Sequence, residues 1–565
     1  MFLAIILAAS FIAAPQQSVP PAQDSSTFTV SGTVVNFASG DSVPNARVIL
    51  NMQVQGVPPQ TITADSGGNF AFSGLSAGRY TLSASHRGFS TQSYLQHGQY
   101  FSALVVGTDF DTSHIVLKLL PLGAITGHIT DQMGDSIRNA SVVVFSRDGS
   151  NSTAPKNLRR SLPTDDEGHY RVSGLLPGTY FVEVIAQPWY ARHPQTIMPA
   201  APPGYTVENG SFFVGDGIRM QSPGGSPDPQ LDVAYEVTYS GGATELANAQ
   251  PIRILGGETQ TVAISLTPVP ARHIRINVPA AALQNPNFRP QVNLQVDLGP
   301  TFGLLQVQQY YVEPGVYELA GVPSGHFTAT LRTFDNQGQQ QHAQTIELGD
   351  DPEVNVGAAP PLVTVGGVLV GEAGFSPTGS HVILNKPGVS QFNAAVAPDG
   401  TFEFKEKFPP GVYSLVVNAQ GPHFMTNMTA TGANVAGRSV EIGSQDVRIS
   451  VTISGTFADA SGFTVRDGKR APAMLVVILP QGPTRDIVKT PRFDQSNGDG
   501  SFNFPQIPPG NYVIFALENA WDLDYEKPDF LAQFASKGQP FVAVVGQKYT
   551  FDLTPLDAAA KSPGQ

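Results

Sequence analysis

Gly68-Asn69-Phe70-Ala71-Phe72-Ser73-Gly74-Leu75-Ser76-Ala77-Gly78-Arg79-Tyr80 decides the architecture, because the chain repeats it. The cadence is a glycine, two apolar residues one apart, a second glycine, a turn closed by a third glycine, then an aromatic. It returns as Gly168-His169-Tyr170-Arg171-Val172-Ser173-Gly174-Leu175-Leu176-Pro177-Gly178-Thr179-Tyr180, and again from Gly315 to Phe327. A fourth copy runs from Gly400 to Tyr413, one residue longer between its outer glycines, and a fifth from Gly500 to Tyr512. Internal repetition at this scale means a string of similar units rather than one core around one pocket.

Each part of the cadence has a physical reason. The opening Asp-Gly or Glu-Gly step suits a turn needing positive φ. Phe-x-Phe or Tyr-x-Val places both apolar side chains on one face of a strand. Leu-x-Pro-Gly and Ile507-Pro508-Pro509-Gly510 then break the strand, and Tyr80-Thr81-Leu82 or Tyr413-Ser414-Leu415 starts another. The pattern predicts a hairpin-like pair of strands, with Tyr80, Tyr180, Phe327, Tyr413 and Tyr512 as core or corner residues.

Strand-like segments precede each cadence, including Thr29–Val35 and Ala46–Leu50, Ala124–Asp131 and Ala140–Phe145, Val363–Leu369 and His381–Leu384, and Val451–Phe457 and Ala473–Leu479. Closing strands follow, such as Ile115–Leu120 and Thr261–Leu266. About seven short strands per unit predict an all-β fold, a tandem array of about five immunoglobulin- or transthyretin-like sandwiches. The expected division is a signal segment and linker over 1–26, sandwiches over 27–120, 121–268 (with a Pro-rich insertion), 269–360 (divergent), 361–446 and 447–556, and a disordered tail over 557–565. Helix should be almost absent, with short turns near Pro528–Leu531.

Val-x-Gly-x-Val, then Ala-x-Val-x-Leu, then Gly-x-Phe-x-Phe-x-x-Leu-x-Pro-Gly-x-Tyr resembles the carboxypeptidase regulatory-like domain. That is a transthyretin-like sandwich of the starch-binding-like superfamily, related to the Cna-B modules of bacterial adhesins. The second, fourth and fifth units resemble it clearly and the first well. The third matches only at its cadence, since Arg272–Asp297 lacks the Val-x-Gly-x-Val start. The resemblance implies an exported bacterial protein without enzymatic activity, because such modules accompany peptidase domains and do no chemistry themselves. Cna-B relatives often carry a Lys–Asn isopeptide bond. The first unit has no lysine before Lys118 and the second only Lys156, which excludes a systematic bond of that kind.

Composition narrows the function. The 565 residues hold 57 glycines and 47 prolines spread among strand-like runs, with 41% hydrophobic residues, which reads as turn-rich folded β protein rather than disorder. A net charge of −13 offers no basic stripe to nucleic acid or to an anionic membrane. Phe2–Ala14 is an apolar run fitting a secretory signal, though no Lys or Arg precedes it. No other segment is expected to span a membrane, so the mature protein should be soluble and secreted, periplasmic or at the cell surface. With no cysteine, each unit must be held by its apolar core alone.

Candidate chemistry thins out on inspection. None of the eleven histidines opens a His-x-x-Glu zinc signature. Gly74-Leu75-Ser76-Ala77-Gly78 matches the nucleophile elbow, but it joins two strands and other copies replace Ser76 by Leu176 or Pro323. Asp65-Ser66-Gly67 has no partner for an aspartic dyad. Asp494-Gln495-Ser496-Asn497-Gly498-Asp499-Gly500 starts like a calcium loop, yet Pro505 stands where a bidentate Glu would be. No cofactor and no metal is expected.

Sugar binding is the specific idea that remains. An aromatic face can be desolvated against a pyranose while polar neighbours read its hydroxyls. The two tryptophans follow equivalent strands, in Trp189-Tyr190 and in Trp521-Asp522-Leu523-Asp524-Tyr525, and these residues are the candidate carbohydrate site. Lys527 adds a donor to the second loop, and Arg192 and His193 lie beside the first. The expected function is thus an exported spacer and interaction protein of the cell envelope, with a glycan or an envelope protein as partner. Alternatives are a carbohydrate-binding protein and an accessory subunit of a separate enzyme.

Overall fold

A computed structural model describes residues 27–559, apart from 147–158, 198–204, 209–210, 215–217, 221–226, 279–290, 298–301, 306, 314, 335–339, 357–361, 373–374, 387–389 and 489. The apolar run Phe2–Ala14 and the tail beyond 559 lie outside these residues. The fold is all-β, and the described strands form a series of separate sheets along the chain. In the first unit, one sheet runs Asn69–Leu75, Phe28–Asn36, Ile115–Pro121, Phe89–Ser90. The other runs Gln60–Thr63, Arg47–Met52, Gly78–Ser85, with Gln92–Ser93 and Leu104–Val106 both on the last of these. Among the described residues no helix is long and apolar enough to cross a membrane.

The cadence is not a hairpin. Its first strand pairs with the opening strand of its unit, as Phe70 does with Gly32. Its second strand joins the opposite sheet, where Leu82 faces Leu50. The same switch separates His169–Leu175 from Gly178–Ile185 and Ser501–Ile507 from Gly510–Glu518. The Pro-Gly turn therefore carries the chain over the end of the sandwich. The residues expected in the core are there: Phe70, Phe72, Tyr170, Val172, Phe402, Phe404, Phe502 and Phe504 are buried, as are Tyr80, Tyr180, Phe327, Tyr413 and Tyr512.

The Val-x-Gly-x-Val glycine has a steric cause. The closing strand of each unit runs parallel to the opening strand, as Ile115–Leu119 does along Gly32–Asn36. A Cβ added to Gly32 would lie 1.9 Å from the Ile115 carbonyl oxygen, and one on Gly127 1.8 Å from that of Val262. Gly367 meets Ile449 O at 1.8 Å and Gly462 meets Phe551 O at 1.9 Å in the same way. No side chain fits at a covalent distance, so only glycine lets the two strands cross this closely.

That contact moves one expected boundary. Val447–Ser454 pairs in parallel with Val365–Val370 and closes the fourth unit, whereas the boundary at 447 would give it to the fifth. The fifth opens instead with Ala458–Arg466, whose Gly462 meets the closing strand Lys548–Leu553. Ile453-Ser454-Gly455-Thr456-Phe457 imitates the opening motif more convincingly than Ala460-Ser461-Gly462-Phe463-Thr464, because the latter fills its inward positions with small residues. Around 269 the chain is paired rather than free, since Val233–Tyr235 lies against Pro268–Pro270. Residues 357–361, where the next boundary was expected, lie outside the described residues.

Two units depart from a simple sandwich. In the third, the core includes Val143, Phe145, Val237 and Tyr239 of the second unit together with Ile274, Tyr317, Phe327 and Leu331. The outer face of the second unit's sheet is thus the floor of the third unit's core. In the fifth, Leu475–Pro480 is buried on both faces. Leu531 and Phe534 cover its far side from a helix, Pro528–Ala535, where turns were expected. Pro528 at the first helical position, Asp529 in the first turn and apolar residues at 530, 531 and 534 explain that helix.

Candidate functional sites

The residues that imitate catalytic motifs are occupied by the fold. Ser76 contributes its carbonyl oxygen, which accepts the Tyr80 hydroxyl at 2.9 Å. The same bond, four residues back, joins Tyr180 to Leu176 O at 2.8 Å, Tyr413 to Pro409 O at 2.7 Å and Tyr512 to Pro508 O at 2.8 Å. Burial pushes the Tyr180, Tyr413 and Tyr512 phenols up to about 12, so they stay protonated donors pinning each turn. Phe327 keeps the ring and drops the bond. Asp65 Oδ1 accepts the Gly67 and Asn69 amides, each at 2.8 Å, in a turn. Backbone hydrogen bonding from Asn69 above all holds its carboxyl below the usual range.

The segment resembling a calcium loop is a docking loop. Gln495 Nε2 donates to Leu95 O at 2.5 Å and to Ser102 Oγ at 2.8 Å, and Ser102 Oγ donates to Ser496 O at 2.8 Å. The Ala103 amide donates to Asn497 Oδ1, the Gly498 amide donates to Ala103 O, both at 2.9 Å, and Arg79 reaches Asp499 at 3.3 Å and Ser501 Oγ at 3.0 Å. Gly498 has room for little else, since a Cβ there would lie 3.2 Å from Ala103 O. The first and fifth units are thereby clasped together, across 394 residues of sequence between Ser102 and Ser496.

Trp521 belongs to this clasp. His97 lies flat on its indole, with ring centroids 4.7 Å apart and an angle of 7° between planes. Tyr100 of the first unit and Tyr525 of the fifth flank it at 5.8 and 5.6 Å. Trp521 Nε1 donates to Ala473 O at 2.9 Å, and His97 Nδ1 sits 3.0 Å from Gln495 Oε1. Burial pushes the His97 imidazole below its ordinary pKa, so the stacked ring is neutral at pH 7. Asp524 pairs with Lys527 at 2.7 Å, and Asp522 is exposed. The face that would stack on a sugar is covered by His97.

Trp189 behaves in the opposite way. It is 90% exposed, with Tyr190 edge-on at 5.8 Å. Pro188 is buried beneath it, and the Arg192 amide donates to Leu231 O at 2.8 Å, so the loop is anchored at its base and open at its tip. The structure does not bring the two tryptophan loops together.

Sequence reasoning missed a third cluster. His193 and Asp232 of the second unit meet His273 and Glu318 of the third in a chain of contacts of 2.5–2.8 Å. Neither spacing nor motif marks these residues, which come from four separate segments. The available signals were His193, beside the Trp189 loop, and Glu318, a single charge within the otherwise apolar strand Val316–Val322.

The carboxypeptidase regulatory-like domain matches over residues 29–107 and 124–208. Among solved structures, the chain is similar to the Bacillus anthracis TIE protein at 11% identity, covering 95% of this chain and 76% of that one, with a TM-score of 0.16. It is also similar to GBS52, the minor pilin of Streptococcus agalactiae, at 15% identity over 43% of this chain and 97% of that one, TM-score 0.19. A streptococcal ancillary pilin aligns at 10% identity over 58% and 98%, TM-score 0.19. Overall likenesses this low carry no argument about function. No curated protein matches.

Proposed function

We propose that this tandem array of carboxypeptidase regulatory-like and related β-sandwich units is an exported, non-enzymatic interaction scaffold of the cell envelope. The regulatory-like domain is a non-catalytic type, and its two copies here are adjacent. The observation that carries the reading is the clasp. Polar and aromatic groups that could have lined a cleft instead bind one unit to another, at Gln495, Ser102, Asn497 and the His97–Trp521 stack. Docking the first unit on the fifth shortens the reach of the chain. That favours holding partners over spacing them apart.

Export is tested with residues 1–26 in place. The chain is expressed in a bacterium with two membranes, the cell fractions are separated, and the recovered protein is sequenced from its N-terminus. The reading expects protein outside the cytoplasm that has lost the Phe2–Ala14 run. Retention of the intact chain, beginning at Met1, in the cytoplasm would sink it.

A second reading is favoured by Trp189 alone. An indole 90% exposed on an anchored loop, with Tyr190 edge-on, is a platform for weak glycan stacking. Under this reading the second unit binds and the fifth does not.

A further inference from the structure

The cluster between the second and third units fixes its own protonation state by geometry. Glu318 is fully buried and accepts from every side: the Thr196 amide and hydroxyl reach Oε1 at 2.8 and 2.7 Å, and the Ile197 amide reaches Oε2 at 2.8 Å. Three donors around a carboxylate, before His273 is counted, mean it is ionised. Asp232 accepts His193 Nδ1 at 2.8 Å on one oxygen and faces His273 Nε2 at 2.8 Å with the other. His273 therefore has a carboxylate oxygen on both ring nitrogens, Glu318 at 2.5 Å on Nδ1 and Asp232 at 2.8 Å on Nε2. An ionised carboxylate only accepts, so with Asp232 ionised like Glu318 both nitrogens carry protons and the ring is an imidazolium.

The cluster is also the mechanical junction. His273 and Glu318 stand on paired strands of the third unit, Arg272–Asn277 and Val316–Val322. His193, Thr196, Ile197 and Asp232 belong to the second. Tyr310 of the third adds its hydroxyl to the His193 carbonyl at 2.5 Å. Gly321 admits the His193 ring, since a Cβ there would come within 2.6 Å of it. Among the described residues, Asp232, Glu318 and the Thr196 hydroxyl contact the His273 ring, and His193 and Tyr310 are the titratable groups next to them.

We propose that protonated His273, held between Asp232 of the second unit and Glu318 of its own, is a latch that fixes the angle between the two units and loosens when it loses its proton. A neutral imidazole has one N–H, so one of the two contacts becomes acceptor against acceptor. Acceptor against acceptor would repel most at the 2.5 Å contact, so the remaining proton stays on Nδ1 toward Glu318 and the contact that fails is the one to Asp232. Glu318 also keeps its Thr196 and Ile197 donors from the second unit, so the junction loosens without coming apart. The shared core of Val143, Phe145, Ile274 and Tyr317 persists, so the units pivot rather than separate.

The direction of the pH effect follows. Burial alone would lower the His273 pKa, but its hydrogen bonds to Glu318 and Asp232 and their charges together raise it above the ordinary value of 6.5. A raised folded value means stability complete below 6.5 and lost as pH climbs through the folded value. For Glu318, burial acts upward, and the bonds from His273, Thr196 and Ile197 outweigh it and lower the value below 4.5. Its contribution is present above 4.5 and lost only as pH falls through that lowered value. The latch is closed below pH 6.5 and opens as pH climbs through the raised His273 value.

The chain has no cysteine, so Met133→Cys and Asp351→Cys place one spin label on an exposed site of each unit in the full-length protein. Inter-label distances measured by pulsed electron resonance from pH 6 to pH 10 should show one population at the acidic end and a second growing on the alkaline side. Asp232→Asn removes one of the two charges that hold the proton, and should move that transition down by about one pH unit or more. His273→Gln should give the alkaline distribution at every pH. A native distribution unchanged from pH 6 to pH 10 would overturn the proposal. So would a transition that stays at the same pH in Asp232→Asn, a variant that keeps the size of the side chain if His273→Gln fails to fold.

Discussion

His97 of the first unit lies parallel to Trp521 of the fifth, 4.7 Å between ring centroids, and this contact turns a string of sandwiches into a closed chain. The aromatic loop that looked suited to a sugar has its stacking partner already, from the same polypeptide. Replacing either ring by Ala should weaken the clasp, and the two losses should not add. Stacked pairs couple by roughly 0.5–1.5 kcal/mol, so a double-mutant cycle on His97 and Trp521, read by urea unfolding, should return about 1 kcal/mol. A coupling indistinguishable from zero would mean the rings do not meet in solution.

Trp189 is the better place to look for a glycan. Titration of the full chain with soluble polysaccharides should change indole fluorescence through Trp189, with dissociation constants of roughly 0.1–1 mM for a single stacking site. Trp189→Ala should abolish the response and Trp521→Ala should preserve it. The reverse pattern would return the site to the fifth unit and require the clasp to open.

The tyrosine corners predict a graded loss. Tyr180→Phe keeps the ring and removes the bond to Leu176 O, at a cost of about 1 kcal/mol. Tyr180→Ala also empties the core position and should cost about 3–5 kcal/mol. Ser76→Ala should cost well under ~1 kcal/mol, because only the Ser76 carbonyl is used. Thermal unfolding of the three variants checks the order, and a Ser76→Ala loss equal to that of Tyr180→Ala would contradict it.

Periodicity made the strands and the core legible: alternation around Phe70 and Phe72 says which face is buried without a structure. It could not say which sheet a strand joins. The Leu-x-Pro-Gly turn suits a hairpin and a crossing between sheets equally well in local sequence, and the choice is made by pairing of Phe70 with Gly32 and of Leu82 with Leu50. The sites were less legible for the same reason. Trp521 stands out in the sequence as one of two tryptophans, but its partner His97 lies 424 positions earlier in the numbering, and nothing local records the contact. His273 and Glu318 read as polar interruptions of a divergent unit until the second unit supplies Asp232.

One position in the fifth cadence shows how a unit can depart from the pattern and keep its shape. Gln506 occupies the place of the middle glycines Gly74 and Gly174, and it adopts φ 58°, beside 72° and 73° for those two. A side chain in this region costs roughly 1 kcal/mol relative to glycine. Gln506→Gly should therefore leave the fold intact and raise the stability of the fifth unit by up to about 1 kcal/mol in denaturant unfolding. A clear loss would mean that the Gln506 side chain makes a contact worth more than the strain.

The register of the fifth unit gives the sharpest test, because two glycines seven residues apart compete for one role. A Cβ on Gly462 would sit 1.9 Å from the carbonyl oxygen of Phe551, and the backbone of the closing strand cannot retreat without losing its pairing from Lys548 to Leu553. A Cβ on Gly455 would find nothing nearer than Pro422 O at 3.5 Å, an ordinary contact. Gly462→Ala should cost more than about 3 kcal/mol or prevent the fifth unit from folding, whereas Gly455→Ala should stay within about 1 kcal/mol of the parent. Both variants are compared by urea unfolding followed through Trp521, which packs against this unit's second core. Should Gly455→Ala be the damaging change, the opening strand would be Val451–Phe457 after all, and the pairing of Val447–Ser454 with Val365–Val370 would have to be abandoned.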